Sequence, residues 1–288
     1  MIDVFLAIAC SVLVSALLKL ARRFGVDVGQ AIAWNYAVAS VLVALMLQPD
    51  VAALRNVAVP WLALIGLGLL LPTIFLALGA SVRHAGIVRS DAAQRLSLLL
   101  SLPAAFVFFG ESLRPAAAIG IVLGLLALAA MLWRPAPSPA APATASAARW
   151  LYPLLVLAGF GVIDILFKRV AQAGVPLATS LQAMFALALP VAFALALWRR
   201  CRGGARFTAR NLLGGVLLGL FNFGNILFYL RGHRALPQHP ALVFASMNIG
   251  VVALGALVGV LLFRERLSRL NLAGVLLAAL AIGGIAWP

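Results

Sequence analysis

Long apolar runs broken by short polar joints set the pattern of this chain. A helix that spans a bilayer needs about 20 largely apolar residues. Ten runs meet or approach that length: 2–20, 29–47, 61–82, 87–109, 115–133, 150–170, 177–198, 211–230, 240–263 and 270–287. Pro60, Pro115, Pro176 and Pro240 stand at or just before run starts, where a helix has no use for the missing N–H. Trp61, Trp133, Trp150, Trp198 and Trp287 stand at run ends, as in an interfacial aromatic belt. Residues 134–149, RPAPSPAAPATASAAR, are too polar and too rich in proline to span and read as a linker.

The linker divides the chain into two halves of five runs, and the halves resemble each other. At an offset of 154, FFGESLRPAAAIG (108–120) meets LFRERLSRLNLAG (262–274). Phe109 then matches Phe263, Glu111 matches Glu265, Leu113 matches Leu267 and Gly120 matches Gly274. Nearer the start of each half the offset is 149: Lys19 meets Lys168, Gly25 meets Gly174 and Val26 meets Val175. The boundaries are therefore a first repeat over 1–134, a linker over 135–149 and a second repeat over 150–288. Five crossings per repeat put the second copy into the membrane upside down, an arrangement found in secondary transporters.

Composition agrees with the pattern. The chain is 65% hydrophobic and 10% charged, with mean hydropathy +1.12, whereas a soluble domain is nearer one-quarter charged. The net charge of +15 would suggest nucleic acid in a soluble protein. Here the basic residues sit between apolar runs, as loop anchors do, and no nucleic-acid partner is expected. Fifteen Lys and Arg fall in odd-numbered loops and six in even ones. The positive-inside rule then puts the odd loops in the cytoplasm and both termini outside. The run from Ile2 to Leu20 has no basic residue before it and reads as a span rather than a cleavable signal. Two cysteines, Cys10 and Cys201, give neither a disulfide framework nor a metal site, and no cofactor is expected.

These features resemble the ten-helix EamA-type members of the drug/metabolite transporter superfamily. FGESL…G at 109–120, FRERL…G at 263–274 and the opening hairpin LLKLARRFGVDVGQAIAWNYAVA at 17–39 carry the likeness. It covers nearly the whole chain. It implies an all-α polytopic membrane protein, with ten transmembrane helices in two inverted five-helix repeats around a central cavity. It also implies a monomeric exporter in a bacterial inner membrane, nearest in kind to the YddG-type amino-acid exporters. The implied partners are a small-molecule substrate, the lipid bilayer and protons. Efflux of lipophilic cations or drugs is the alternative, as is transport of another metabolite such as a nucleotide sugar. No HExxH, Asp-rich metal motif, Ser/His pairing or Gly-rich phosphate loop points to an enzyme.

Polar groups inside apolar runs are the site candidates, because leaving them unpaired in lipid is costly. Asp164, in GFGVIDILFKRV, either pairs with Lys168 one turn on or lines a cavity, where it would hold a substrate ammonium or a proton. Its repeat mate is Ser15. Arg95 either pairs with Asp91 or grips a carboxylate bidentately. Gln94, Ser97 and Ser101 make one polar stripe, and Asn248 is the repeat mate of Gln94, with Ser246 nearby. Asn222, Asn225 and Tyr229 fall on one face at i, i+3 and i+7, and Asn222 matches Thr73, beside Pro72. Either interhelical bonding or cavity lining fits such a stripe. Trp34 reads as an interface anchor or a stacking surface. His84, His233 and His239 read as solvated residues of loops or span ends. Glu111 and Glu265 read as helix-end hinges or caps, with coupling or gating as the alternative. The GxxxG pairs at Gly120/Gly124, Gly215/Gly219 and Gly255/Gly259 read as close helix packing.

Overall fold

The computed structural model describes residues 1–56, 59–85, 93–94, 96–110, 115–132, 146–204, 206–263 and 269–286. The described chain is helical, with no strand among the described residues: α1 (Ile2–Arg23), α2 (Val28–Leu47), the short α3 (Ala53–Asn56), α4 (Trp61–Ala85), α5 (Leu98–Val107), α6 (Pro115–Leu132), α7 (Ser146–Gln172), α8 (Leu177–Cys201), α9 (Ala209–Ala235), α10 (Pro240–Phe263) and α11 (Arg269–Ala286). Six of these, α2, α4, α7, α8, α9 and α10, contain described stretches long and apolar enough to cross a membrane. Leu62, Leu213 and Leu261 are 87%, 65% and 79% exposed, which suits side chains solvated by lipid rather than water. Trp61, Trp150 and Trp198 are also exposed at their run ends. Trp133 and Trp287 lie outside the described residues.

Helix bounds recur between the halves. α1 ends at 23 and α7 at 172, and α2 begins at 28 and α8 at 177, each an offset of 149. The turns between them both use a glycine in the left-handed region, Gly25 at φ +64° and Gly174 at φ +73°, where a side chain would be strained. α6 runs over 115–132 and α11 over 269–286, an offset of 154 at both ends.

The chain forms two compact units, and both draw on both halves of the sequence. The first comprises Ile2–Leu76 and Ile163–Pro237. In it α9 packs on α1 and α2, and α2 packs on α8. Glycines bring α9 and α2 together: a Cβ on Gly215 would collide with Cβ of Trp34 and lie 2.9 Å from the Ala31 carbonyl oxygen. One on Gly219 would lie 2.7 Å from Cβ of Val38. The two helices therefore run parallel. α8 runs antiparallel to α2, with Trp34 against Phe193 and Tyr36 against Phe185. α9 runs antiparallel to α1, Arg210 lying beside Phe24 and Gly224 beside Cys10.

A buried amide network fastens the ends of α2 and α9. Asn211 accepts from the Asp27 backbone N–H at 2.9 Å and donates to Gln30 Oε1 at 2.8 Å. Asp27 in turn caps α2 by accepting from Gln30 N–H, and Thr208 caps α9 by accepting from Asn211 N–H. Asn211→Ala removes both of these cross-helix bonds, to Asp27 and to Gln30. It is expected to cost about 1–3 kcal/mol, read as a lower thermal midpoint of the detergent-solubilised protein.

The second unit comprises Met1, Ala77–Val162 and Gln238–Pro288. α6 and α11 form its main pair, with α10 packed on both and on α5. Gly124 of α6 sits against Ile249 and Ala281, and Gly161 of α7 against Leu100 and the Ser97 carbonyl.

Three expectations change. α7 begins at Ser146, inside the expected linker. α9 continues to Ala235, a turn past the expected end. Gly255, expected in close packing, has nothing described within 4 Å of where its Cβ would be. Of the run expected over 87–109, residues 93, 94 and 96 are helical, Ser97 is in a turn and α5 follows from Leu98, while 87–92 and 95 lie outside the described residues.

Candidate functional site

The polar stripe of α9 is longer than the sequence pattern suggested. Asn222, Asn225 and Tyr229 lie on it as expected, and His233 follows one turn later at 1% exposure. The expectation that His233 is a solvated residue is therefore corrected. Its signal was in the sequence, since it stands four residues after Tyr229 on the same face. The polar run RGHRA argued for a helix end, and that outweighed the spacing.

α7 lies alongside this stripe. The Tyr229 hydroxyl donates to Asp164 Oδ1 at 2.7 Å. The Tyr229 ring stands edge-on to Phe167, with centroids 5.7 Å apart, and to His233, with centroids 4.7 Å apart. Lys168, one turn past Asp164, is fully buried and donates from Nζ to the Pro237 carbonyl at 2.7 Å. That carbonyl lies just past the C-terminus of α9, where a cation is favoured. Arg234 donates to the Val175 carbonyl. Asp164, one turn before Lys168, thus has a cross-helix partner on α9. A hydroxyl–carboxylate bond of this kind is charge-assisted and strong in a medium of low dielectric. The two elements run parallel here, 164 beside 229 and 168 beside 237.

A second set of polar atoms lies in the same unit. Among the described residues, the buried Nε1 of Trp34, Oη of Tyr36, Oε1 of Gln182, Nδ2 of Asn222 and Oδ1 of Asn225 have no hydrogen-bond partner. Buried polar groups are satisfied in the great majority of cases, so these atoms have bonding capacity to spare on α2, α8 and α9. Trp34 is half-buried on α2. It stands edge-on to Phe193 at 5.2 Å, over Gly215.

The remaining candidates are placed elsewhere. Ser15 is exposed on α1. Thr73 donates to the carbonyls of Leu69 and Leu70 beside Pro72, bonding within its own helix. In the second unit Ser97 donates to the Gln94 carbonyl at 2.7 Å, Ser101 to Leu98 and Asn248 to Phe244 at 3.1 Å. These groups satisfy their own backbone. Ser246 is buried, and its hydroxyl has no partner among the described residues. Arg95, Glu111 and Glu265 lie outside the described residues. His84 stacks on Tyr152 at 5.1 Å. No three His, Cys, Asp or Glu side chains converge as metal ligands among the described residues.

An all-helical chain with several apolar, membrane-length helices and buried charges held by partners in their interior is a polytopic membrane protein. It is 41% identical over 289 residues to an uncharacterized protein of Haemophilus influenzae, covering 97% of this chain and 96% of that one, and it belongs to the same family. No family model matches the chain. One solved structure, described only as a crystal structure of a protein, shares the fold at a TM-score of 0.71 and 19% identity. The likeness covers 99% of this chain and 94% of that one.

Proposed function

We propose that this chain is a secondary transporter that exports amino acids or related small metabolites by alternating access. The observation that carries the reading is the Asp164–Tyr229 bond between membrane-length helices, with buried His233 and Lys168 beside it. Ionisable groups at such positions mark substrate or proton pathways. Asp164 is the group that would take the substrate ammonium or the coupled proton. The spare hydrogen-bonding atoms of Trp34, Tyr36, Gln182, Asn222 and Asn225 suit a polar solute.

The reading includes ten crossings in two inverted repeats of the EamA type, in a bacterial inner membrane with both termini outside. The shared helix bounds and the paired left-handed glycines support it. The packing directions support it too. If α1, α2 and α4–α11 cross in succession, α2, α7 and α9 are crossings two, six and eight. They should run the same way, and α1 and α8 should oppose them. The contacts of α2, α7, α8 and α9 follow that rule.

The test is counterflow of labelled Phe, Thr and Met in proteoliposomes of the pure protein, with and without an imposed pH gradient. Uptake driven by unlabelled amino acid inside is expected, and its response to the gradient reports proton coupling. No uptake above empty liposomes, with the protein shown to be folded, would move the reading to lipophilic-cation efflux. Thr73→Val loses only a bond within its own helix, so its counterflow is expected to stay within about twofold of the parent protein.

A further inference from the structure

A cavity of about 910 Å³ opens where the last turns of α1 meet the first turns of α9. Its walls are leucines, among them Leu17 and Leu20 of α1 and Leu213 and Leu217 of α9. Arg23 and Arg210 line it at one end, and no carboxylate does among the described residues. Arg23 is the last residue of α1 and Arg210 the second of the antiparallel α9. Both therefore sit at the same helix-end level, which is headgroup depth for a membrane-length helix. From Arg210 to Leu217 the wall descends about 10 Å at 1.5 Å per residue, into acyl-chain depth. Leu213 is 65% exposed and Leu217 48%.

We propose that this groove holds an anionic phospholipid, its phosphate on Arg23 and Arg210 and its upper acyl chain along the leucines. The chemistry of the groove changes from two cations to hydrocarbon over the distance at which a lipid changes from headgroup to tail. Arg210 donates one N–H to the Phe24 carbonyl at 3.3 Å. A guanidinium has five such donors in a fork that fits phosphate, so the bond orients the group without using it up. The nearby Asp27 is engaged elsewhere, accepting from Gln30 N–H and lying 3.9 Å from Arg199. A zwitterionic headgroup would bring its own cation to two arginines, so the groove selects net negative charge. Basic pockets at helix ends recognise lipids in this way. The proposal needs only that the chain crosses a bilayer, not that it transports.

The experiment is native mass spectrometry of the full-length protein in neutral detergent, titrated with phosphatidylglycerol or phosphatidylcholine of the same acyl length. Phosphatidylglycerol is expected to be retained about 30-fold more strongly, the product of two arginines near the surface. Equal retention of the two lipids would overturn the proposal. So would displacement of the bound lipid by millimolar inorganic phosphate, which would mark a site for free phosphate. Arg23→Gln combined with Arg210→Gln is expected to bring the preference close to one, and an unchanged preference would overturn it. Leu213→Trp, at an exposed position, fills the groove with both arginines intact and is expected to reduce retention at least tenfold. Should the double variant fail to fold, Leu213→Trp decides, and undiminished retention of phosphatidylglycerol counts against the groove.

Discussion

Asp164→Asn is expected to reduce amino-acid counterflow to the level of empty liposomes, a loss on the order of 100-fold or more, from losing the charge on one side of a desolvated contact. The substitution is chosen to spare the fold. Asparagine keeps an oxygen that can accept from the Tyr229 hydroxyl, so the tie between α7 and α9 survives while the negative charge does not. Tyr229→Phe makes the complementary change, keeping the carboxylate and both edge-on ring contacts and losing the donor. A smaller loss, about tenfold, is expected there. Both variants should elute as monodisperse, folded protein. Normal counterflow by Asp164→Asn would remove Asp164 from the transport path and leave its bond to Tyr229 as a structural one.

Gly215→Ala is expected to be the most damaging single methyl in the first unit. Its Cβ would collide with Cβ of Trp34 and approach the Ala31 carbonyl oxygen to 2.9 Å. Neither atom is the free end of a flexible side chain, so α9 and α2 must move apart. In lipid, helices associate through close packing rather than through exclusion of water. A forced separation therefore removes the main attraction, at a cost of about 3 kcal/mol or more. Folded yield and thermal midpoint should both fall sharply. Gly255→Ala is the control: nothing lies within 4 Å of its Cβ, and no change in either quantity is expected. A Gly215→Ala protein as stable as the parent would mean that α2 and α9 approach less closely than described.

The helices were legible because a membrane segment announces itself by apolar length alone. The likeness of the two halves was legible in matched residues, and the matched Gly25 and Gly174 both sit in left-handed turns, which the alignment alone did not say. The limits were less legible where polar residues stay inside. Arg231, His233 and Arg234 look like the end of a span, yet α9 continues through them. His233 is buried against Tyr229, and Arg234 reaches the Val175 carbonyl. Trp34, read as an interface anchor or a stacking surface, has its Cβ against Gly215 and its ring edge-on to Phe193, contacts that its position in the sequence did not reveal. Ser97 and Ser101 had the spacing of a polar stripe, and Thr73 and Asn248 were repeat mates of polar residues; neither signal can tell a side chain aimed at a ligand from one bonded back to its own helix. Gly255 completed a GxxxG pair, yet among the described residues nothing lies within 4 Å of where its Cβ would be. In each case the missing information was the identity of the neighbour across the contact.

Four long-range ties in the first unit end on main-chain oxygens: Lys168 on Pro237, Arg234 on Val175, Thr179 on Asp50 and Arg210 on Phe24. A carbonyl is present whichever residue carries it, so only the donor end of each tie can be lost by substitution. Constraint therefore falls unevenly on the two ends. As the family diverges, residues 168, 179, 210 and 234 should change slowly, while 24, 50, 175 and 237 remain free to drift as far as their backbone geometry permits. Half of each fastening is then invisible to any comparison that looks for pairs of residues changing together.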